Sequence, residues 1–301
     1  MILPTLKQLQ YLIALHQHGH FGRAADACFV TQSTLSSGLR ELETLLDVTL
    51  VERTRRVMRF TPLGERVVAK AYLVLHEAEA LAEAVRASAK PLSGELRLGV
   101  IPTIAPFLLP RILPTLRQEY PDLKLYLREE TSGMACEALG RGQLDCVLLA
   151  LPYACGDITK AQLFEDPFLV AFHKDEPIEG EPNIAPNAID ETRLLLLEDG
   201  HCLKDQVLSA CNRPELRAEA AILGTSLHTL VQMVDNRLGV TLLPKMALDA
   251  GILNGTQVIA RPLEAVHAFR DIALVWRTSS PRGEEFQLLA QALIRAAESA
   301  R

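Results

Sequence analysis

No stretch of this chain approaches the roughly 18 apolar residues that a membrane-spanning helix needs. The opening MILPTLKQLQYLIALHQ also lacks the basic start and continuous apolar centre of an export leader, so a cytoplasmic protein with no membrane association is expected. Cysteine is sparse. The six, at Cys28, Cys136, Cys146, Cys155, Cys202 and Cys211, do not make a disulfide scaffold in a reducing compartment, and most are expected to be small buried hydrophobes. An overall excess of positive charge is missing too, since the net charge is −6. Spread evenly, that would argue against nucleic acid, but it is not even. Residues 1–90 carry 11 Lys and Arg against 9 Asp and Glu, while the rest of the chain carries 20 against 28. ERTRRVMR places Arg53, Arg55, Arg56 and Arg59 within seven residues, an electrostatic footprint on one small module of an acidic protein.

The first 46 residues read as three short helices. Leu6, Leu9, Leu12 and Ile13 share one face, Phe21, Ala24, Ala25 and Cys28 a second, and Leu35, Leu39, Leu42 and Leu46 a third. Only Phe-Val-Thr links the second to the third, with Thr31 placed to cap the helix that follows, which is the connection of a helix-turn-helix. With the leucines inward, Gln32, Ser33, Thr34, Ser36, Ser37 and Arg40 point outward at the helix start. Amides and short hydroxyls there suit base edges and phosphates in the major groove. VTLVERTRRVMRF alternates around a basic turn, as a hairpin or wing does. Thr61-Pro62 starts a long helix on which Val67, Ala71, Val74, Ala78, Leu81 and Val85 recur at spacings of 4, 3, 4, 3 and 4, a seam for a second chain. The boundaries expected are a DNA-binding module at 1–61, a linker helix and hinge at 62–91, and an effector domain at 92–301.

From Glu95 onward short apolar runs (LRLGVI, KLYL, DCVLLAL, FLVAFH, LLLLE, VTLL, DIALVW) alternate with helical stretches, so the remainder is α/β. Such domains bind ligands beyond the carboxyl ends of their strands. Here those ends are Pro102-Thr103 and Asp199-Gly200-His201-Cys202. In LLLLEDGHCLKDQVLSAC two cysteines stand nine apart, and by themselves they could be buried thiols, metal ligands or a reactive pair. A metal site of His201, Cys202 and Cys211 lacks a fourth ligand at zinc-like spacing, so neither metal nor cofactor is expected.

FGRAADACFVTQSTLSSGLRELETLLDVTLVERTRRVMRFTPLG resembles the winged helix-turn-helix of LysR-type transcriptional regulators, densely over residues 4–64. The resemblance implies a multi-domain α and α/β architecture. It comprises an N-terminal winged helix-turn-helix, a long linker helix and a C-terminal two-subdomain effector domain like a periplasmic binding protein. It implies double-stranded promoter DNA as partner, a homodimer assembling to a homotetramer, contact with RNA polymerase, and no enzymatic role. Gln32, Ser33, Thr34, Ser36 and Arg53 become the leading DNA contacts, with Thr31, Arg40, Arg55 and Arg56 beside them. Ser33 departs from the family's common proline.

LGVIPTIAPFLLPRILP, LDCVLLAL, LLLLEDGHCLKDQVLSAC and GTSLHTLVQMV are similar to the hydrogen-peroxide sensors within that family. By position, Cys202 then becomes the peroxide-reactive thiol and Cys211 the resolving one. Thr103, Ser132, His201, Lys204 and Asp205 form the peroxide pocket, and a thioredoxin or glutaredoxin system restores the thiols. A helix beginning near Gly200 would put Cys202 in its first turn, where backbone N–H groups and the dipole favour thiolate; His201 and Lys204 add positive charge if they face it. Nine residues of intact helix span about 13 Å, beyond the roughly 7 Å that a disulfide allows between Cα atoms, so bridging must unwind the segment. Lys204 stands where arginine is expected and His228 where glutamate is expected. Cys28, Cys136, Cys146 and Cys155 read as structural, and His16, His18 and His20 as surface or cap groups. Two other readings compete: a LysR-type regulator sensing a small organic ligand through Thr103 and Ser132, and a thiol-dependent peroxidase.

Overall fold

In the computed structural model, which describes residues 3–53, 58–87, 92–176, 178, 182–211, 223–266 and 268–299, the chain opens on a capping box. The Thr5 hydroxyl accepts from the Gln8 N–H, and the Gln8 side chain accepts from the Thr5 N–H, at the start of α1 (Leu6–His18). His20 caps α2 (Phe21–Ala27), its Nδ1 accepting from the Gly22 N–H at 3.0 Å. Thr31 caps α3 (Gln32–Leu46) by accepting from the Thr34 N–H at 3.2 Å. Leu12, Leu15, Ala24, Leu35, Leu39 and Leu42 close the core of these three helices. Where α3 meets α1, a Cβ on Gly38 would stand 2.8 Å from Tyr11 Cδ2, so the approach requires glycine. β1 (Val51–Arg53) and β2 (Met58–Phe60) pair antiparallel, Val51 opposite Phe60. Residues 54–57, and with them Arg55 and Arg56, lie outside the described residues, as does the Arg53 side chain.

The Thr61 hydroxyl accepts from the Gly64 N–H at 2.9 Å and starts α4 (Pro62–Ala87) at its proline. Val68 and Ala71 are buried in the N-terminal core, whereas Val74 and Leu81 farther along stay 47% and 75% exposed. The first turns of α4 therefore belong to the parent module and the later ones present an uncovered apolar edge.

Residues 1–90 and 141–143 form one compact unit, and residues 91–140 and 144–301 a second. In the second, β3 (Gly94–Val100) lies parallel to β4 (Leu123–Glu129) on one side and to β5 (Cys146–Leu151) on the other. α5 (Ala105–Glu119) and α6 (Ser132–Gly140) make the crossovers. β6 (Ile158–His173) is long enough to serve two ends of the sheet. Its first part pairs with β11 (Phe269–Arg277), which also pairs with β5, antiparallel to both. Its second part pairs with β10 (Val258–Pro262) and β9 (Thr241–Pro244). Among the described residues this gives a seven-stranded sheet in the order β10-β6-β11-β5-β3-β4, with β9 also on β6. β7 (Leu196–Leu197) and β8 (Leu223–Gly224) form a separate parallel pair. α7 (Cys202–Ala210), α8 (Leu227–Asp235), α9 (Lys245–Asp249) and α10 (Gly283–Ser299) complete the unit.

The expected α/β pattern holds, but the sheet is mixed, with β9 and β10 antiparallel to β6. β11 is antiparallel and inserts between β5 and β6, because the chain returns from its far half to finish the near one.

Candidate functional site

On the N-terminal unit, Gln32, Ser33, Thr34, Ser37 and Arg40 are exposed and Ser36 is half-buried. The Thr31 hydroxyl is within 2.8 Å of both the Ser33 and the Thr34 hydroxyls, and Arg40 Nη2 donates to Ser36 Oγ at 3.4 Å. The helix start is thus a patch of hydroxyls and one amide, backed by a guanidinium two turns in. Arg59 on the wing strand is also exposed.

On the second unit, the chain leaves β7 and turns through Gly200, whose φ of +96° suits glycine, into α7. His201 takes the cap position with extended backbone but offers no side-chain acceptor to the helix. The first N–H, that of Cys202, instead donates to Ser132 Oγ at 3.3 Å, so a side chain from α6 satisfies the start of α7. Two helix N-termini converge there. Gln206, one turn on, donates from Nε2 to the Ala150 carbonyl at 3.1 Å and ties α7 to the end of β5.

Behind the thiol lies a buried ion pair. Arg270 Nε and Nη2 donate to Asp166 Oδ2 at 3.0 and 2.9 Å, and Asp166 Oδ1 accepts from the Met246 N–H at 2.8 Å. Arg270 also reaches Thr103, donating from Nη1 to its hydroxyl at 2.8 Å and from Nη2 to its carbonyl at 3.0 Å. Thr103, 2% exposed, is therefore held at both polar ends by one guanidinium.

Burial pushes the Cys202 thiol above its ordinary value, and the Ser132 hydroxyl, the Arg270 charge and the backbone N–H groups of Ala150 and Cys202 oppose that. This corrects the expectation of an acidified thiol. Cys202 is 2% exposed, and the loss of solvation outweighs the helix terminus. The expected positive neighbours are also redirected. Lys204 Nζ bonds Asp199 Oδ1 at 2.8 Å, and burial pushes the His201 imidazole below its ordinary value, opposed by Glu198. Cys211 closes the other end of α7, its N–H donating to the Val207 carbonyl at 3.0 Å. The two thiols thus flank one unbroken helix, about 13 Å of axial rise apart.

Asp205 is half-buried on the same helix, and its charge, with that of Cys202, adds to burial in pushing the Tyr153 phenol up. His228 stacks on Phe107 with ring centroids 5.6 Å apart.

The sequence reading did not single out Arg270, Asp166, Tyr153 or Gln206. The charged pair Arg270-Asp271 just ahead of the apolar run of β11 was the available signal for Arg270. A further correction concerns Cys136 and Cys155, expected as reduced structural thiols. The structure joins them in a disulfide, because the turn after β5 returns Cys155 to the flank of α6.

A helix-turn-helix with a wing, followed by an α/β unit with a buried polar cluster of Thr103, Ser132 and Arg270, has the architecture of a transcription regulator with an effector domain. The chain belongs to the LysR family. Residues 6–65 match the bacterial regulatory helix-turn-helix protein of the lysR family, and residues 89–298 match the LysR substrate binding domain. It is 40% identical over 97% of both chains to the HTH-type transcriptional regulator EstR of Acinetobacter baylyi. It is 38% identical to the DNA-binding transcriptional dual regulator OxyR of Escherichia coli, over 96% of this chain and 94% of that one. Among solved structures, full-length OxyR from Pseudomonas aeruginosa, a cysteine-to-aspartate variant, matches with a TM-score of 0.81 at 36% identity, covering 97% of this chain and 95% of that one. A hydrogen-peroxide-bound mutant of Corynebacterium glutamicum OxyR matches with a TM-score of 0.68 at 34% identity, covering 99% and 94%. No helix among the described residues is long and apolar enough to cross a membrane.

Proposed function

We propose that the chain is a hydrogen-peroxide-responsive regulator of transcription in which Cys202 is the reacting thiol and Cys211 resolves it. The observation that carries this reading is the pairing of a buried Cys202, hydrogen-bonded through its backbone to Ser132, with a second thiol at the far end of the same helix. The Cys202 thiolate attacks one peroxide oxygen, the O–O bond breaks, and the leaving hydroxide takes a proton to become water. Cys202 is then a sulfenic acid. The Cys211 sulfur attacks it, water leaves, and two thiols plus one peroxide have become one disulfide and two waters.

Thr103 and Ser132 supply hydroxyls that orient peroxide, and Arg270 stabilises the developing negative charge. Closing the bridge requires α7 to unwind, since its two ends cannot meet while it is helical. That converts a local oxidation into a change of the effector domain. The regulator binds double-stranded DNA through Gln32, Ser33, Thr34, Ser36 and Arg40 with the Arg53, Arg55 and Arg56 wing. It associates through the uncovered edge of α4 at Val74 and Leu81 into dimers and then tetramers, and acts on RNA polymerase. A thioredoxin or glutaredoxin system restores the thiols. The 40% identity to EstR, an HTH-type transcriptional regulator not named for peroxide, motivates a second reading, a small organic effector held by Thr103 and Ser132.

The test treats the reduced protein with one equivalent of peroxide and maps disulfides by mass spectrometry. A Cys202–Cys211 link is expected, and its absence sinks the mechanism. A Cys202→Ser variant whose DNA footprint still changed with peroxide would remove that thiol from the role.

A further inference from the structure

The Cys136–Cys155 disulfide lies on the two segments that build the thiol site. Cys136 stands four residues after Ser132 on α6, one turn along the same helix face. Cys155 stands two residues after Tyr153, whose hydroxyl packs 3.3 Å from where a Cβ on Gly133 would be, in the first turn of α6. Ser132 holds the Cys202 N–H, and Ala150, at the end of the strand leading to Tyr153, holds Gln206 of α7. The bridge therefore clamps the α6 start to the β5 exit, and α7 is hydrogen-bonded to both.

Access separates this pair from the other cysteines of the unit. Cys146, Cys202 and Cys211 are buried, whereas Cys136 and Cys155 are both half-exposed. Both line a cavity of about 290 Å³ together with Glu137, Ala154 and Asp157. The bridge therefore lies at the edge of the core beside this cavity, where a reductant can approach it.

We infer that Cys136 and Cys155 form a second, reversible thiol–disulfide pair, whose state sets the position of Ser132 and Tyr153 and thereby the reactivity of Cys202. The exchange partner is a dithiol. One of its thiolates attacks a sulfur of the bridge, the S–S bond breaks, and the other cysteine leaves as thiolate and takes a proton. The partner's second thiol then attacks the partner sulfur of this mixed disulfide, the attacked protein cysteine leaves as thiolate and takes a proton, and two protein thiols and one partner disulfide remain. Closing is the reverse, with the partner's disulfide as oxidant. This coupling concerns the same site as the peroxide reading but does not use peroxide.

The full-length protein, purified without reductant, is exposed to graded dithiothreitol and then to its oxidised form. Each cysteine is quantified by differential alkylation and mass spectrometry, and the melting curve confirms that the fold persists. Cys136 and Cys155 are expected to lose and regain protection together. The iodoacetamide rate of the Cys202 thiol is then expected to differ by about threefold or more between closed and open protein, since that rate follows the thiolate fraction and the access of the thiol. A Cys136→Ser/Cys155→Ser double variant should match the open state; if it does not fold, the chemically reduced protein supplies the comparison. Unprotected Cys136 and Cys155 in both untreated and oxidised protein, a bridge that opens only on unfolding, or an unchanged Cys202 rate each overturns the inference. Failure here leaves a peroxide-driven Cys202–Cys211 link intact, and failure of that link leaves the alkylation rates readable.

Discussion

Arg270 holds Thr103 by its hydroxyl and by its carbonyl, although 167 residues separate them in the chain. The same guanidinium is ion-paired with Asp166 where β6 passes from one end of the sheet to the other. One side chain thus locks Thr103 to the strand that both ends share.

Arg270→Ala is expected to lower stability by about 3–5 kcal/mol, because Asp166 is left buried without its charge partner. Arg270→Met with Asp166→Leu should recover much of that loss. Chemical denaturation midpoints check both, and a wild-type midpoint for Arg270→Ala would contradict the pair.

Ser132→Ala removes the acceptor for the first N–H of α7. The expected stability cost is about 1 kcal/mol, the cost of losing a helix N-cap. The Ser132 hydroxyl also lowers the Cys202 thiol, so the inflection of Cys202 alkylation against pH should move upward. Cys202 alkylation unchanged in rate and pH profile would remove Ser132 from the site.

Burial raises both Cys202 and Cys146 above the ordinary thiol value, and raises Cys146 more. The fold favours the protonated form of each. Their stabilisation is therefore complete below the unfolded thiol pKa of about 8.5 and is lost as pH rises through that value towards the folded ones. The denaturation midpoint should fall as pH rises above about 8.5, and Cys146→Ala should flatten part of that fall. A midpoint constant over that rise would contradict the burial.

For DNA, the expectation is a steep salt dependence, with log affinity falling by about 0.9 per phosphate contact for each decade of salt. Arg40→Ala and Arg53→Ala should each reduce that slope by about one contact and weaken specific and non-specific binding together. Gel-shift titrations across salt concentrations decide this, and equal slopes in wild type and variants would take these arginines off the phosphates.

Gly38→Ala should cost about 1–3 kcal/mol, since the added methyl meets the Tyr11 ring where α3 packs on α1. Thermal melting of the full chain measures it. A neutral substitution would mean that Tyr11 can swing aside without loss of packing.

The cap and the inward and outward faces of α3 were legible because their signals are short-range. Thr31 caps a helix three residues ahead, and Leu35, Leu39 and Leu42 repeat on one face within two turns. The placement of Cys202 and Cys211 at the two ends of one helix was legible for the same reason, since rise per residue fixes that spacing. Burial was not. Whether Cys202 faced solvent depended on α6 and β5 arriving over it, and neither is near it in sequence.

By itself, then, the sequence determined the helix-turn-helix, the cap at Thr61-Pro62, the α/β alternation and the helix joining Cys202 to Cys211, all set by periods and caps acting over a few residues. Only the tertiary structure decided that Arg270 would hold Thr103, that Lys204 would turn to Asp199, and that Cys136 would meet Cys155. Those outcomes follow from strand order. The sheet brings the end of β5 beside α6 and inserts β11 between β5 and β6, and no local pattern encodes which side chains then share a buried space.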